Sequence, residues 1–538
     1  MTDKRTRNIV TIGLAAGILV AALDQTIVDT AFPKMISDLG GVAIFTWVIT
    51  AYMLASTAVV PVVGKLADLF GRKIFFLLGL IFFVGGSALC GMAHSMTQLI
   101  LFRGIQGLGA GALMPIVFTI IGDLYPGAER ARLQGVFGGI WGLASVIGPK
   151  LGGWLTHNLS WRWVFYVNLP IGAIAFAIIL LGLQESRGER RPIDYLGSFT
   201  VTAGISALLL GLVQGGSEFA WGSWQIISLF AAAAVLLAAF IVIEQRVPEP
   251  VLNFELFKNR TYALMSIISF VMAIGMFGAI IFVPWFIQGV VGVNPDQAGN
   301  VMTPMMITVV VFATLSGRLS VKIAYRWIVG AGFLFMAAGL FVATGWTAAT
   351  TQLQATLTTM LIGAGMGCIM PIMTLAVQNA FAPNFRGQVT SGVTFFRSIG
   401  ATVGASVFGV VFNNQMASRF GENLGGLFAA AQQQLARVPQ ALEAMKQLAE
   451  KPQALVQVLL QEQVRAQIPA PMLDPLTKGI KAMMVGSLHT VFLAAVVIVI
   501  VGFVFTLFMG DVSLTSQVKE LEAQGFEVSA TPAPVLAE

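Results

Sequence analysis

Five ionisable side chains interrupt stretches of this chain that are otherwise apolar enough to lie in a bilayer: Asp24 and Asp29 in the first stretch, Arg103 in the fourth, Lys150 in the fifth and Arg397 in the thirteenth. A charge at the bilayer centre costs at least roughly 2.5 to 3.5 kcal/mol, so each must have a partner or a task. The carboxylates well inside are Asp24 and Asp29. At about 1.5 Å per helical residue, Asp24 stands about 22 Å above an inner boundary near Ile9, and Arg103, descending from an outer boundary near Gln98, reaches a similar height in a core of about 30 Å. An aspartate and an arginine at one level neutralise each other. Burial favours a protonated carboxyl and a neighbouring guanidinium favours an ionised one, so a helix that moves between those settings loads and unloads a proton. The alternative is a static structural ion pair. By the same estimate Asp29 and Lys150 reach the outer end and form a second candidate pair, unless Asp29 simply faces outer water.

A second cluster lies in a short turn, Gly64-Lys65-Leu66-Ala67-Asp68-Leu69-Phe70-Gly71-Arg72-Lys73, between apolar stretches 44–63 and 74–93. Each stretch has about the 20 residues a spanning helix needs. Glycines bound the turn, Asp68 caps and charges a helix end near Arg72, and Asp123 closes the fourth span on the same side. Three such charges form a cluster that holds helix ends together in one state and releases them in another; the plainer reading is topology plus capping. The matching turn of the second half, Ser316 to Lys322, keeps basic residues and lacks the acid, which places the gating charge in the first half.

These residues need membrane-spanning helices to position them, and the composition supplies them. Hydrophobic residues make up 57% and charged residues 10%, with mean hydropathy +0.83, far from the roughly 25% charge of soluble domains. The net charge of +6 does not imply nucleic acid, because the basic residues sit on short connections. Apolar runs between charged or Pro/Gly breaks give fourteen candidate spans. With a cytoplasmic N-terminus, 19 Lys and Arg fall on inward segments, from Lys4 to Lys519, against Lys34 and Arg162 on short outward loops, and an even span count returns the C-terminus to the cytoplasm. The first span lacks a cleavage site and should stay as a helix. Cys90 and Cys368 lie in separate apolar spans and read as packing, and His94, His157 and His489 share no metal-ligand spacing. A Gly-Lys-Ser/Thr phosphate loop and a catalytic serine or cysteine arrangement are absent, which excludes nucleotide-driven transport by this chain alone and argues against an enzyme.

The Gly64–Lys73 turn resembles the signature loop between the second and third helices of the major facilitator superfamily. Leu23-Asp24-Gln25-Thr26-Ile27-Val28-Asp29-Thr30-Ala31-Phe32-Pro33 resembles the first-helix motif of its fourteen-helix drug:proton antiporters, the EmrB and QacA type, and Arg103-Gly104-Ile105-Gln106-Gly107-Leu108-Gly109 resembles their fourth-helix motif. That likeness implies a part for Asp24 and Arg103 in proton transfer, and a gating relay for Gly64, Asp68, Gly71, Arg72 and Asp123; Asp29 departs from the neutral residue often found at its place. In the fifth span, Gly138-Gly139-Ile140-Trp141-Gly142 and Gly148-Pro149-Lys150-Leu151-Gly152-Gly153 clear one helix face for close contact, with Pro149 favouring a kink. As a pattern, with Gly142, Gly148, Pro149, Gly152 and Gly153, they resemble the antiporter motif of exporters in the superfamily; Lys150 is an unusual occupant.

The resemblance implies an all-α integral membrane protein of the major facilitator fold: a six-helix bundle over 1–186, an inserted helix pair over 187–247, a second six-helix bundle over 248–513 and a cytoplasmic tail over 514–538. Within 415–480 the repeat Pro439-Gln440-Ala441-Leu442 and Pro452-Gln453-Ala454-Leu455 reads as an extracellular helical hairpin between spans 13 and 14, with a linker as the alternative. Trp141, Phe277, Trp285, Met305, Met370 and Phe395 suit a deformable apolar pocket, and Gln378 or Arg397 suit its polar contacts. The expected function is a proton-coupled multidrug antiporter of a bacterial-type inner membrane, exporting hydrophobic and cationic amphipathic compounds by alternating access. It needs no cofactor or metal, is driven by the proton gradient, and meets protons, small-molecule substrates and membrane lipid; a periplasmic adaptor is compatible but not indicated. The alternatives are a facilitator-type exporter of a lipid or endogenous metabolite, uptake without antiport, and a non-transporting membrane sensor or scaffold.

Overall fold

Long apolar runs become helices wherever a short polar residue satisfies the free N–H groups at their start, and several connections of this chain end in such a residue. Ser95 accepts from Gln98 N ahead of α5 (Met96–Leu124), Ser223 from Ile226 N ahead of α10 (Trp224–Glu244), and Thr351 forms a reciprocal capping box with Gln354 ahead of α14 (Gln352–Asn379). The computed structural model describes residues 4–39, 44, 47–125, 127–184, 194–216, 219–248, 250–292, 295–382, 385–426, 470–513, 515 and 517. Among them the architecture is helical, the one β feature being an isolated bridge between Gly215 and Phe219.

The first half comprises α1 (Lys4–Leu39), α2 (Trp47–Ala58), α3 (Val60–Phe70), α4 (Arg72–Gly91), α5, α6 (Gly127–Asn158), α7 (Trp163–Tyr166) and α8 (Asn168–Gly182). Next come α9 (Tyr195–Gln214) and α10. The second half comprises α11 (Arg260–Phe286), α12 (Pro295–Leu319), α13 (Tyr325–Thr344), α14, α15 (Arg386–Phe420) and α16 (Ala470–Leu507). Twelve described helices are long and apolar enough to cross a membrane, and α2 with α3, bent by 43°, adds a broken thirteenth. The bend follows from Pro61, which removes a ladder donor in the first turn of α3. The fourteen spans read from sequence count α6 too. It has 32 residues, but its glycines and Lys150 add length without apolar surface, and it is not among the twelve.

Most of the expected hairpin, residues 427–469, lies outside the described residues. The described ends of the 415–480 range are not separate hairpin helices. Residues 415–420 continue α15, a π-helical turn follows over Gly421–Gly425, and 470–480 open α16.

Burial divides by half. Tyr262, Met272, Met305, Phe333, Met336, Ile369 and Phe492 belong to one core formed by the second half, and Leu14, Phe76, Phe83, Leu113 and Ile179 to one in the first. A further cluster joins Val201, Ile205, Leu209 and Phe240 of α9 and α10 to Ala58 and Val60 of the first half and Phe395 of the second, so the inserted pair rests against both.

Candidate functional site

The residues picked out by depth meet. Asp24 is 0% exposed and Arg103 2%, and Arg103 Nη1 donates to Asp24 Oδ2 at 2.5 Å. The other carboxylate oxygen accepts from Gln106 Nε2 at 2.8 Å and from Asn168 Nδ2 at 2.9 Å. Arg103 also donates to Gln106 Oε1 at 2.9 Å and to Val48 O at 3.3 Å, and its guanidinium stands 4.1 Å from the centre of the Tyr52 ring. Asn168 donates to Ser87 Oγ at 3.0 Å, and Ser87 to Phe165 O at 2.9 Å. The network therefore ties α1, α2, α4, α5 and α8 around one carboxylate, and three donors make up for the water it has lost. A neutral carboxyl accepts fewer of those bonds, so a proton on Asp24 must rearrange Arg103, Gln106 or Asn168.

Gln106 and Asn168 were not singled out from sequence. Gln106 sits three residues beyond Arg103 on the same helix face, a signal available in the quoted motif. Asn168 carries no charge and falls where a span begins, so nothing marked it. The side chains of Asp29, Trp141, Gly142 and Pro149 lie outside the described ones. Lys150 is exposed.

The second cluster is larger than the sequence indicated, and it spans both halves. Arg72 donates to Asp68 at 3.1 Å and is paired with Asp123. Asp68 caps a helix, but the helix belongs to the other half: its oxygens accept from Gly387 N at 3.1 Å and Gln388 N at 2.7 Å, in the first turn of α15. The second half adds one charge to the three of the first, because Arg386 donates to Asp123 at 3.2 Å and Gly122 O at 3.3 Å. Gly71 turns the chain with φ at 111°, a conformation that favours glycine. Gly64 serves contact, since a Cβ there would overlap the Ser391 side chain of α15.

Gln378, placed among substrate contacts from sequence, lies in this closure. It donates to Phe118 O at 3.1 Å and Thr390 at 2.9 Å, and accepts from Arg130 at 3.3 Å. Arg130, which sequence counting treated only as a topology charge, also reaches Asn379 at 3.1 Å and Gly122 O at 2.7 Å. The other pocket candidates are dispersed. Phe395 is buried with the inserted pair, Met305 is buried in the second-half core, and Phe277 and Met370 pack against that core. Trp285 is 37% exposed with its ring 5.5 Å from that of Phe412. Arg397 Nη2 lies 3.9 Å from Met114 Sδ of α5, facing the first half. In the fifth-span motif, Gly148 lets α6 meet Thr26 of α1, whose hydroxyl donates to Ala144 O at 2.9 Å; Gly152 is buried, and a Cβ on Gly153 would meet open space.

The family model described as Major Facilitator Superfamily matches residues 14–405, a range that holds both clusters. The chain belongs to this superfamily. Its members are transporters and not enzymes, which makes this chain a multi-pass membrane transporter. Among superfamily relatives, "Multidrug transporter protein MdtP" of Bacillus subtilis is 45% identical over 516 residues, covering 96% of this chain and 95% of the relative. "Multidrug resistance protein 3" of the same organism is 38% identical over 502 residues, covering 93% and 94%. The fold matches solved structures at low identity. The human organic anion transporter MFSD10 (TETRAN) has a TM-score of 0.59 at 14% identity, with 93% of this chain and 99% of that one covered. A bacterial homologue of the lysosomal transporter Spinster has a TM-score of 0.53 at 16% identity, with coverage of 94% and 98%.

Proposed function

We propose that this protein is a proton-coupled multidrug antiporter that exports hydrophobic and cationic amphipathic compounds across a cell membrane by alternating access. The observation that carries the reading is the Asp24 carboxylate, fully buried and held by Arg103, Gln106 and Asn168. Two relatives that each cover more than nine-tenths of the chain are named for multidrug transport or resistance, which supports the substrate class. Excess positive charge on the turns that carry Arg72 and Arg130 supports cytoplasmic termini and an inner position for the Asp68 cluster. With that orientation, the cluster joins the halves at their inner side. A plan of two six-helix bundles and an inserted pair, with α6 as the fourteenth span, supports the EmrB and QacA type.

In the proposed cycle a proton from outside neutralises Asp24, and Arg103 falls back on Val48 O and the Tyr52 ring. The Asp68, Arg72, Asp123 and Arg386 cluster then parts, the halves rock, and inward cargo binds as the proton leaves to the cytoplasm. No cofactor enters; the proton gradient supplies the energy, and no periplasmic adaptor is needed for these steps. The test is substrate-triggered proton movement in proteoliposomes. Asp24→Asn should abolish it while the purified protein stays monodisperse and still binds dye, and unchanged coupling would remove Asp24 from the mechanism.

A further inference from the structure

Away from both clusters, two carboxyl groups meet where the inserted helix pair begins and ends. Asp194 caps α9, its Oδ1 accepting from Gly197 N at 2.8 Å. Its other oxygen, Oδ2, is buried without a hydrogen-bond partner. Glu244 is the last residue of α10; Oε1 accepts from Val251 N at 3.1 Å and Oε2 from Leu252 N at 3.4 Å. The residues are 7% and 4% exposed. Gly197 separates them, and a Cβ built there would meet both Asp194 Oδ2 and Glu244 Oε1. The orphan oxygen thus faces a second carboxyl across the gap of a missing side chain.

Two buried carboxylates that face each other repel, which disfavours the state with both ionised. The helix ends assign the charge. The N-terminus of α9 stabilises an anion on Asp194, and the C-terminus of α10 disfavours one on Glu244. Among the described residues the cation whose field reaches Glu244 is Lys65 of α3. Arg246 is exposed, Glu255 and Lys258 pair with each other at 3.0 Å, and on α15 Arg386 pairs with Asp123 while Arg397 faces Met114 of α5. Glu185, Arg187, Glu189, Arg190 and Arg191 lie outside the described residues. A bare divalent ion asks for six or more oxygen ligands, whereas here every carboxyl oxygen but one already accepts a backbone N–H. A proton asks for a single oxygen.

We propose that Asp194 and Glu244 together hold one proton, and that the inner end of the inserted pair is a second proton-binding site. The site is wired to the inner closure. Val251, which donates to Glu244, accepts through its carbonyl from Gln388 Nε2 at 3.1 Å, and the Gln388 backbone N–H donates to Asp68. When the shared proton leaves to inner water, Glu244 becomes an anion beside Asp194 and is driven off it, the Val251–Leu252 segment shifts, and Gln388 loses the support that keeps it on Asp68. Proton release at this site therefore weakens the inner closure.

The inference goes beyond the Asp24 reading and is tested without it. Spin labels at Gln184 and Lys322, exposed positions in opposite halves at the closure end, would report the inner distance in full-length protein carrying Asp24→Asn, in nanodiscs and without substrate. The expected result is a distance that lengthens as pH rises, with Glu244→Gln, which cannot ionise, abolishing the shift. Infrared difference spectra across the same pH range should show a protonated carboxyl band that Glu244→Gln removes. A Glu244→Gln profile superimposed on its parent overturns the proposal, as does a distance that follows sodium concentration at fixed pH. Should Glu244→Gln fail to fold, Asp194→Asn must abolish the same shift, and a retained shift is equally fatal.

Discussion

Replacing Asp68 by Asn removes one charge and little volume at a point where the two halves touch. In the closed state one oxygen of Asp68 accepts from Gly387 N and Arg72, and the other from Gln388 N at 2.7 Å. Asparagine keeps one acceptor and turns an amide donor toward a donor. A hydrogen bond to a charged group contributes about 1.5 to 3 kcal/mol, and an anion at a helix N-terminus a further 0.3 to 1 kcal/mol or so. Arg72 keeps Asp123 as a partner, so its release offsets part of the loss. About 2 kcal/mol is then the low end, roughly a 30-fold shift toward the open gate at 1.4 kcal/mol per decade. Spin labels at Gln184 and Lys322 in otherwise native protein at fixed pH would read the two populations directly. An inner distance distribution unchanged by Asp68→Asn would refute the argument that this carboxylate holds the halves together.

Two further substitutions probe contact and charge separately. Gly64→Ala puts a methyl into the Ser391 side chain, so it should open the inner closure by about 1 to 3 kcal/mol, the range of an overpacked contact; Ser391→Gly in the same protein should restore the distance, and failure of that rescue would count against a steric cause. Arg103→Lys keeps the positive charge but loses the planar fork that reaches Asp24, Gln106 and Val48 O while lying over Tyr52, so dye export at equal protein level should fall at least tenfold, and retained export would show that charge alone suffices.

The pairing of Asp24 with Arg103 was legible because the rise of a helix is fixed. Counting residues from two span ends was enough to put Asp24 and Arg103 at one height, and they are bonded. The amides beside them were harder to see, because a neutral polar residue in an apolar run carries no penalty large enough to mark it. Asp68 shows the other limit. Its spacing suggested a cap near Arg72, and a cap it is, yet the capped helix begins more than three hundred residues later, at Arg386. Which surface of one half meets which surface of the other depends on side-chain fit across an interface, and no periodicity within a single sequence encodes that. Arg130 and Arg386 escaped notice for the same reason, since each reads as a topology charge until its partner is in place.

Coupling between the two clusters asks for no long chain of contacts, because the same helices carry both. α5 holds Arg103 and Gln106 near one end and Gly122 and Asp123 at the other. Gly107, Gly109 and Gly111 bring its backbone against Tyr52, Phe83 and Ser56, so closely that a single Cβ would collide with main-chain atoms of α2 or α4. Packing of that kind makes the stretch from Arg103 to Gly111 move as a body. The second connection differs. Tyr52, under the Arg103 guanidinium, and Asp68, in the inner closure, share the broken span of α2 and α3, whose 43° bend lies between them near Pro61. On the proposed cycle, a change at Arg103 reaches α2 through the Tyr52 ring while the inner end of α3 stays pinned to α15 by Asp68. Strain between those fixed ends is taken up where a proline already removes a ladder bond, at residues 57–61 between α2 and α3, and Pro115 gives α5 a break of the same kind between its two clusters.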